Sequence, residues 1–187
     1  MDEDSCASEP NRDQTVEPEG AGAGLRFPQR VSTHQYRPCA MDTANALASQ
    51  LDGLVHLDTQ RASTGIDLTV DAVFRTTGPG QLDFGGGEFQ TVPRERIGPT
   101  LDDPDDDYGW WTLEKGAYVV QYNESLRLDD GQQAVVTPLE RTLRAGAHHG
   151  AFVLDEGRDP IETLLVVGRM GCRLKENCRV SRLVVLD

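Results

Sequence analysis

The chain has 187 residues, enough for one domain with a proper core. Its 31 acidic and 18 basic residues leave a formal net charge of −13, a surface that repels nucleic-acid phosphates and anionic lipid headgroups and argues against both as general partners. Only Lys115 and Lys175 among the bases are lysines, and a chain rich in Asp and poor in Lys has the composition of a salt-adapted cytoplasmic protein, although an acidic tail alone accounts for part of the imbalance. No run approaches the ~20 apolar residues of a membrane span. The amino end, Met1-Asp2-Glu3-Asp4-Ser5, is the opposite of a signal peptide.

Residues 1–40 carry Asp, Glu, Gly, Pro and Gln with almost no apolar periodicity and read as a disordered acidic leader. Met41 is an alternative start, and residues 41–187 form the folded domain. A short helix is expected from Asp42 or Thr43, with Ala44, Ala46, Leu47, Ala48 and Leu51 inside it and Gly53 at its end. The period then changes. Ile66-Asp67-Leu68-Thr69-Val70 alternates apolar and polar and continues through Phe74, as a strand does. Residues 75–108 read as a long polar connection with turns at Gly78-Pro79-Gly80 and Gly85-Gly86-Gly87. Its acidic run Asp102–Tyr108 is a solvated loop rather than a metal site, because it lacks calcium-loop spacing.

Trp110-Trp111 open the densest β region, and they serve better as core or interface anchors than as base-stacking rings. Strands are expected at Ala117–Tyr122, Ser125–Leu128, Gln133–Thr137, Ala151–Leu154, Thr163–Val167 and Val180–Leu186. Closely spaced and without interposed amphipathic helices, they indicate an all-β barrel or jelly-roll-like sandwich. Cys6, Cys39, Cys172 and Cys178 are too sparse for a disulfide scaffold, and Cys172-x5-Cys178 is not the tight pair of a zinc ribbon, so no zinc is expected. His148 and His149 are neighbours, so on a strand at most one of them faces a site. Asp155 ends the apolar run Ala151–Leu154 beside Gly157. A carboxylate there is placed either as a partly desolvated general base or as an ordinary turn aspartate.

Five segments, in order, carry a resemblance. They are Gly65-Ile66-Asp67-Leu68-Thr69-Val70; Lys115-Gly116-Ala117-Tyr118-Val119-Val120 with Tyr122-Asn123-Glu124; Pro138, Arg144 and Gly146; Ala151–Gly157; and Arg179-Val180-Ser181-Arg182-Leu183-Val184. Together they resemble the dCTP deaminase/dUTPase family over about residues 60–187. The resemblance implies a distorted β-barrel with a short amino-terminal helix, assembled as a homotrimer whose sites are shared between neighbouring subunits. It implies a pyrimidine deoxynucleoside triphosphate as substrate, with magnesium orienting the triphosphate in the dUTPase branch and no zinc in the deaminase branch. It assigns Asp155 to activation of the attacking water, and Arg144 and Gly146 to substrate binding. Arg141 lies outside the pattern and is read as a substrate-binding residue that compensates from a shifted register; His149 is read either as a nucleotide-facing imidazole or as a plain surface or subunit-interface histidine.

The chain also departs from the family pattern. Leu139-Glu140-Arg141 stands where the family has Arg-Ser-Ser, replacing phosphate donors by an apolar and an acidic side chain. Leu165 occupies the place of the deaminase Glu, and Glu162, three residues earlier, faces the opposite side of an alternating strand. Arg158 and Pro160 replace an aromatic and a glycine. Three readings follow: a dUTPase, a dCTP deaminase, or a degenerate paralogue that binds nucleotide or serves as structure without turnover.

Overall fold

The computed structural model describes residues 40–155 and 159–186. The expected leader, apart from its last residue, lies outside these, as do Glu156, Gly157 and Arg158. All of the described residues fall within one compact unit, Arg37–Asp187.

Helix α1 (Ala40–Ser49) buries Ala44 and Leu47. It starts earlier and stops sooner than the sequence suggests, because Leu51–Asp52 (β1) leaves it to pair with a later strand. One helical turn, α2 (Leu57–Gln60), follows with His56 as its cap, the ring Nδ1 accepting from the Thr59 amide. Arg61–Ala62 (β2) leads into β3 (Gly65–Thr76), whose Ile66, Leu68, Val70 and Val73 are completely buried. Then come β4 (Arg94–Ile97), β5 (Trp110–Leu113), β6 (Gly116–Tyr122), β7 (Ser125–Leu126) and β8 (Gln133–Pro138). Helix α3 (Glu140–Arg144), β9 (Ala147–His148), β10 (Phe152–Leu154), β11 (Glu162–Val167), β12 (Cys172–Lys175) and β13 (Arg179–Leu186) complete the chain.

The main sheet is antiparallel and follows the path β10-β8-β13-β3-β6-β11-β9, with β2 and β4 also paired to β3. It curls into a half-barrel, so the all-β expectation holds. β1 pairs with β7 and β5 with β12 outside this path. The concave side is filled by side chains such as Val120, Val136, Leu154, Leu165 and Leu183, each worth about 1.5–3 kcal/mol when fully buried.

Two strands and a helix depart from the sequence reading. Arg94-Glu95-Arg96-Ile97 carries no apolar alternation, yet it is a strand because it hydrogen-bonds to Val73–Thr76 of β3. Likewise Cys172–Lys175 becomes a strand by pairing with Trp110–Leu113. Residues 139–141, just past the expected strand Gln133–Thr137 and placed in no element by the sequence reading, lead into α3 with Leu139 as its cap. There the Leu139 amide donates to Val180 O at 3.0 Å and Thr142 Oγ1 donates to the same oxygen at 2.7 Å, which ties the turn to β13.

Candidate functional site

β10 pairs with β8 so that Leu154 lies opposite Ala134, and Asp155 therefore leaves the sheet beside the start of β8. Leu154 is buried in the core while the next side chain is exposed. Asp155 Oδ1 accepts from Gln133 Nε2 at 3.0 Å. The carboxylate does sit at the mouth of an apolar strand, but in a single chain it faces water.

The other end of β8 carries the arginines. Pro138 pairs with Ser181 on β13, after which the backbone turns into α3. On a helix, residues three apart share a face, yet the two arginines diverge. Arg141 donates from Nε and Nη2 to Arg179 O at 3.0 and 2.5 Å. Burial, and next the neighbouring Arg179 charge, lowers its pKa from the ordinary arginine value. Arg144 Nη2 donates to Glu140 Oε1 at 2.7 Å, an exposed i,i+4 pair worth about 0.3–0.5 kcal/mol. The intruding acid Glu140 is thus neutralised by Arg144. Gly146 has a backbone task of its own: at φ 86° it closes α3 in the left-handed conformation, donating to Leu143 O at 3.0 Å and accepting from the Gly168 amide at 2.8 Å.

Asp155 and Arg141 therefore lie beyond opposite ends of β8. Its six residues alone span about 17 Å at ~3.4 Å per step.

His148 is exposed and His149 buried, as alternation requires. His149 Nδ1 lies 2.8 Å from Gly150 O and Nε2 lies 2.7 Å from Ser181 Oγ, which is itself 2.5 Å from the Tyr122 hydroxyl. A carbonyl only accepts, so Nδ1 carries the proton, Nε2 accepts from Ser181, and Ser181 accepts from Tyr122. Burial lowers the His149 pKa and holds the Tyr122 hydroxyl protonated, well above the ordinary tyrosine range. In this arrangement His149 has no N–H left to offer a nucleotide.

Its ring borders a cavity of about 790 Å³ lined also by Phe152, Glu162, Leu164 and Val166. Leu165 is fully buried on the other side of β11, so Glu162 and Leu165 do face apart, and it is the Glu162 side that opens to a cavity. Glu162 Oε2 accepts from Arg94 Nη1 at 2.9 Å, and its Oε1 has no partner among the described residues. Trp111 is a core anchor, with Nε1 donating to Ile97 O at 2.9 Å, whereas the Trp110 ring is covered by Arg173.

Sequence reasoning missed two buried carboxylates. Asp67 holds Arg179 and Arg182 at 3.3 and 2.8 Å. Glu124 accepts from Gln60 Nε2 at 2.6 Å and from the Thr69 amide and hydroxyl at 2.9 and 2.6 Å, while its burial raises its pKa. The signal for Asp67 was an acid set inside an apolar strand, Ile66-Asp67-Leu68, whereas Glu124, between the polar Asn123 and Ser125, carried no such signal.

Among the described residues no three His, Cys, Asp or Glu side chains gather as a metal cage. Magnesium takes one or two carboxylates together with substrate phosphates and water, and the exposed Asp155 carboxylate is an oxygen donor of that kind. Also among the described residues, no helix is long and apolar enough to cross a membrane.

Comparison with known proteins settles the kinship. No protein-family model matches the chain. A protein of Methanosarcina acetivorans named probable deoxyuridine 5′-triphosphate nucleotidohydrolase is 34% identical over 156 residues, covering 82% of this chain and 85% of the relative. One of the same name from Methanosarcina barkeri is 33% identical over 141 residues, covering 74% and 79%. The chain belongs to the dCTP deaminase/dUTPase family. The fold agrees: the crystal structure of 2′-deoxycytidine 5′-triphosphate deaminase from Agrobacterium tumefaciens superposes with a TM-score of 0.53 at 17% identity, over 79% of this chain and 45% of that one. The chain thus spans less than half the length of that family member.

Proposed function

We propose that this family member hydrolyses dUTP to dUMP and pyrophosphate. The observation that carries the reading is kinship at 33–34% identity, over 74–82% of the chain, to two proteins named as probable enzymes of that reaction. Asp155 would accept a proton from the water that attacks the α-phosphorus, the bond to the bridging oxygen would break, and pyrophosphate would leave. Magnesium, bound with the triphosphate, would neutralise and orient the phosphates. Arg144, exposed on α3, would bind phosphate across a subunit boundary, with Arg141, Gly146 and His149 shaping the binding surface around it.

Two features support a homotrimer with shared sites. Asp155 is exposed in one chain, whereas a general base works best shielded from bulk water, and a neighbouring copy would supply that shield. The length of β8 between Asp155 and α3 also sets the two apart within a single chain, as a site shared between copies would need. The acidic composition fits work in the cytoplasm at high salt.

The deaminase reading finds no support at Leu165, whose fully buried aliphatic side chain cannot move a proton. Chromatography of dUTP and dCTP incubated with the protein and magnesium in concentrated salt decides between them. We expect dUMP and pyrophosphate from dUTP, with a loss of about 100-fold or more in Asp155→Asn. Ammonia released from dCTP, or turnover of neither nucleotide, would overturn the proposal.

A further inference from the structure

The strand register sets one more side chain beside Asp155. Leu154 of β10 pairs with Ala134 of β8, so the next step along this ladder brings Asp155 opposite Gln133. Ala134 and Leu154 are both buried, and alternation turns the residue beside each of them to the outer face. Gln133 and Asp155 thus share that face as directly opposed neighbours, the arrangement in which side chains of adjacent strands meet. They do meet: Gln133 Nε2 donates to Asp155 Oδ1 at 3.0 Å. An ionised carboxylate only accepts, so the NH2 end of the amide is the end that faces it.

Gln133 is a firm base for that bond. Its strand lies between β10 and β13, and Gln133 itself pairs with Leu186 of β13. Asp155, by contrast, stands one residue past the end of β10. The last torsion of an aspartate side chain is broad and roughly two-fold, so an unsupported carboxylate presents either oxygen over a wide range of directions. The amide of Gln133 occupies Oδ1, and among the described residues no donor reaches Oδ2.

We infer that Gln133 is a positioning residue for the water-activating carboxylate, holding Oδ1 so that Oδ2 is the atom that takes the proton. The inference deepens the hydrolase reading above and rests on it. In the step concerned, the water oxygen bonds to the α-phosphorus and its proton passes to Oδ2. The bond from phosphorus to the bridging oxygen breaks, and its electron pair leaves with pyrophosphate. Gln133 gains and loses nothing in this exchange; it fixes where Oδ2 points, and a general base works only within about 2.6–3.2 Å of the proton it removes.

Steady-state hydrolysis of dUTP by the full chain with magnesium tests the role. Gln133→Leu removes the donor, and Gln133→Glu keeps the length of the side chain without an N–H at neutral pH. Each should lower kcat by about tenfold or more, as displacement of a reacting group does. KM should change by less than about twofold, because the substrate's own contacts are untouched. Gln133→Arg keeps an N–H donor of sufficient reach and should retain most of the wild-type kcat. An exposed strand position that merely completes the sheet would tolerate all three alike, and thermal melts identify any loss caused by misfolding. A second readout needs no turnover: the Gln133 side-chain amide resonance, assigned by its disappearance in Gln133→Leu, should shift in Asp155→Ala. An unmoved resonance, wild-type kcat in Gln133→Leu, or an equal loss in Gln133→Leu and Gln133→Arg overturns the positioning role. No turnover of dUTP by the wild type, with the resonance shift present, overturns the hydrolase reading instead, and the pairing of the two side chains then stands without that task.

Discussion

His149 shows how one residue's bonding decides its role. Its ring is committed to Gly150 O on one side and Ser181 on the other, so it pins the segment between β9 and β10 that leads to Asp155. Burial holds it neutral by pushing its pKa below 6.5. The unfolded chain binds this proton more readily than the folded one, so the contribution is whole above about pH 6.5 and is lost as pH falls through the depressed folded value. Urea denaturation of wild type and His149→Gln should therefore show the larger stability gap at pH 7.5 and a smaller one at pH 5.5. A gap that widens in acid would contradict the neutral tautomer. Alternation alone foretold that only one of the two histidines turns inward. What it could not foretell is the partner, because Ser181 is 32 residues away and reaches His149 only once the sheet has curled.

At the scale of elements, apolar alternation located the strands that build the core, and it was silent wherever pairing rather than burial makes the strand. β4 is Arg-Glu-Arg-Ile and β12 is Cys-Arg-Leu-Lys; each exists because a partner strand offers unpaired amides and carbonyls. The single turn of α3 was hidden for another reason. Its anchors are Val180 O and the left-handed Gly146, neither of which a periodicity test sees. Gly146→Ala should cost about 1 kcal/mol or more, since an L side chain resists that backbone conformation. Equilibrium unfolding measures this directly, and a neutral substitution would show that the turn relaxes without penalty. Of the candidate site, the family pattern named Asp155 and Arg144, whereas Arg141 falls where that pattern has a serine, and the length of β8 that separates Asp155 from the arginines appears only in three dimensions.

The whole molecule raises the question of how many copies make a site. If Asp155 and Arg144 serve one substrate from different subunits, two inactive variants carry complementary defects. Mixing Asp155→Asn with Arg144→Gln, followed by subunit exchange, should restore measurable dUTP turnover, and sedimentation should give the mass of three chains. No recovery in mixtures shown to exchange would place both residues in one subunit's site, against the separation observed.

One unbroken ribbon, β3, bonds to β13 through its first half and to β6 through its second. It works as a rivet through both flanks of the sheet, and a rivet leaves no seam along which those flanks can swing apart. Any opening and shutting around a substrate must come from loops or from the fit of one copy against the next.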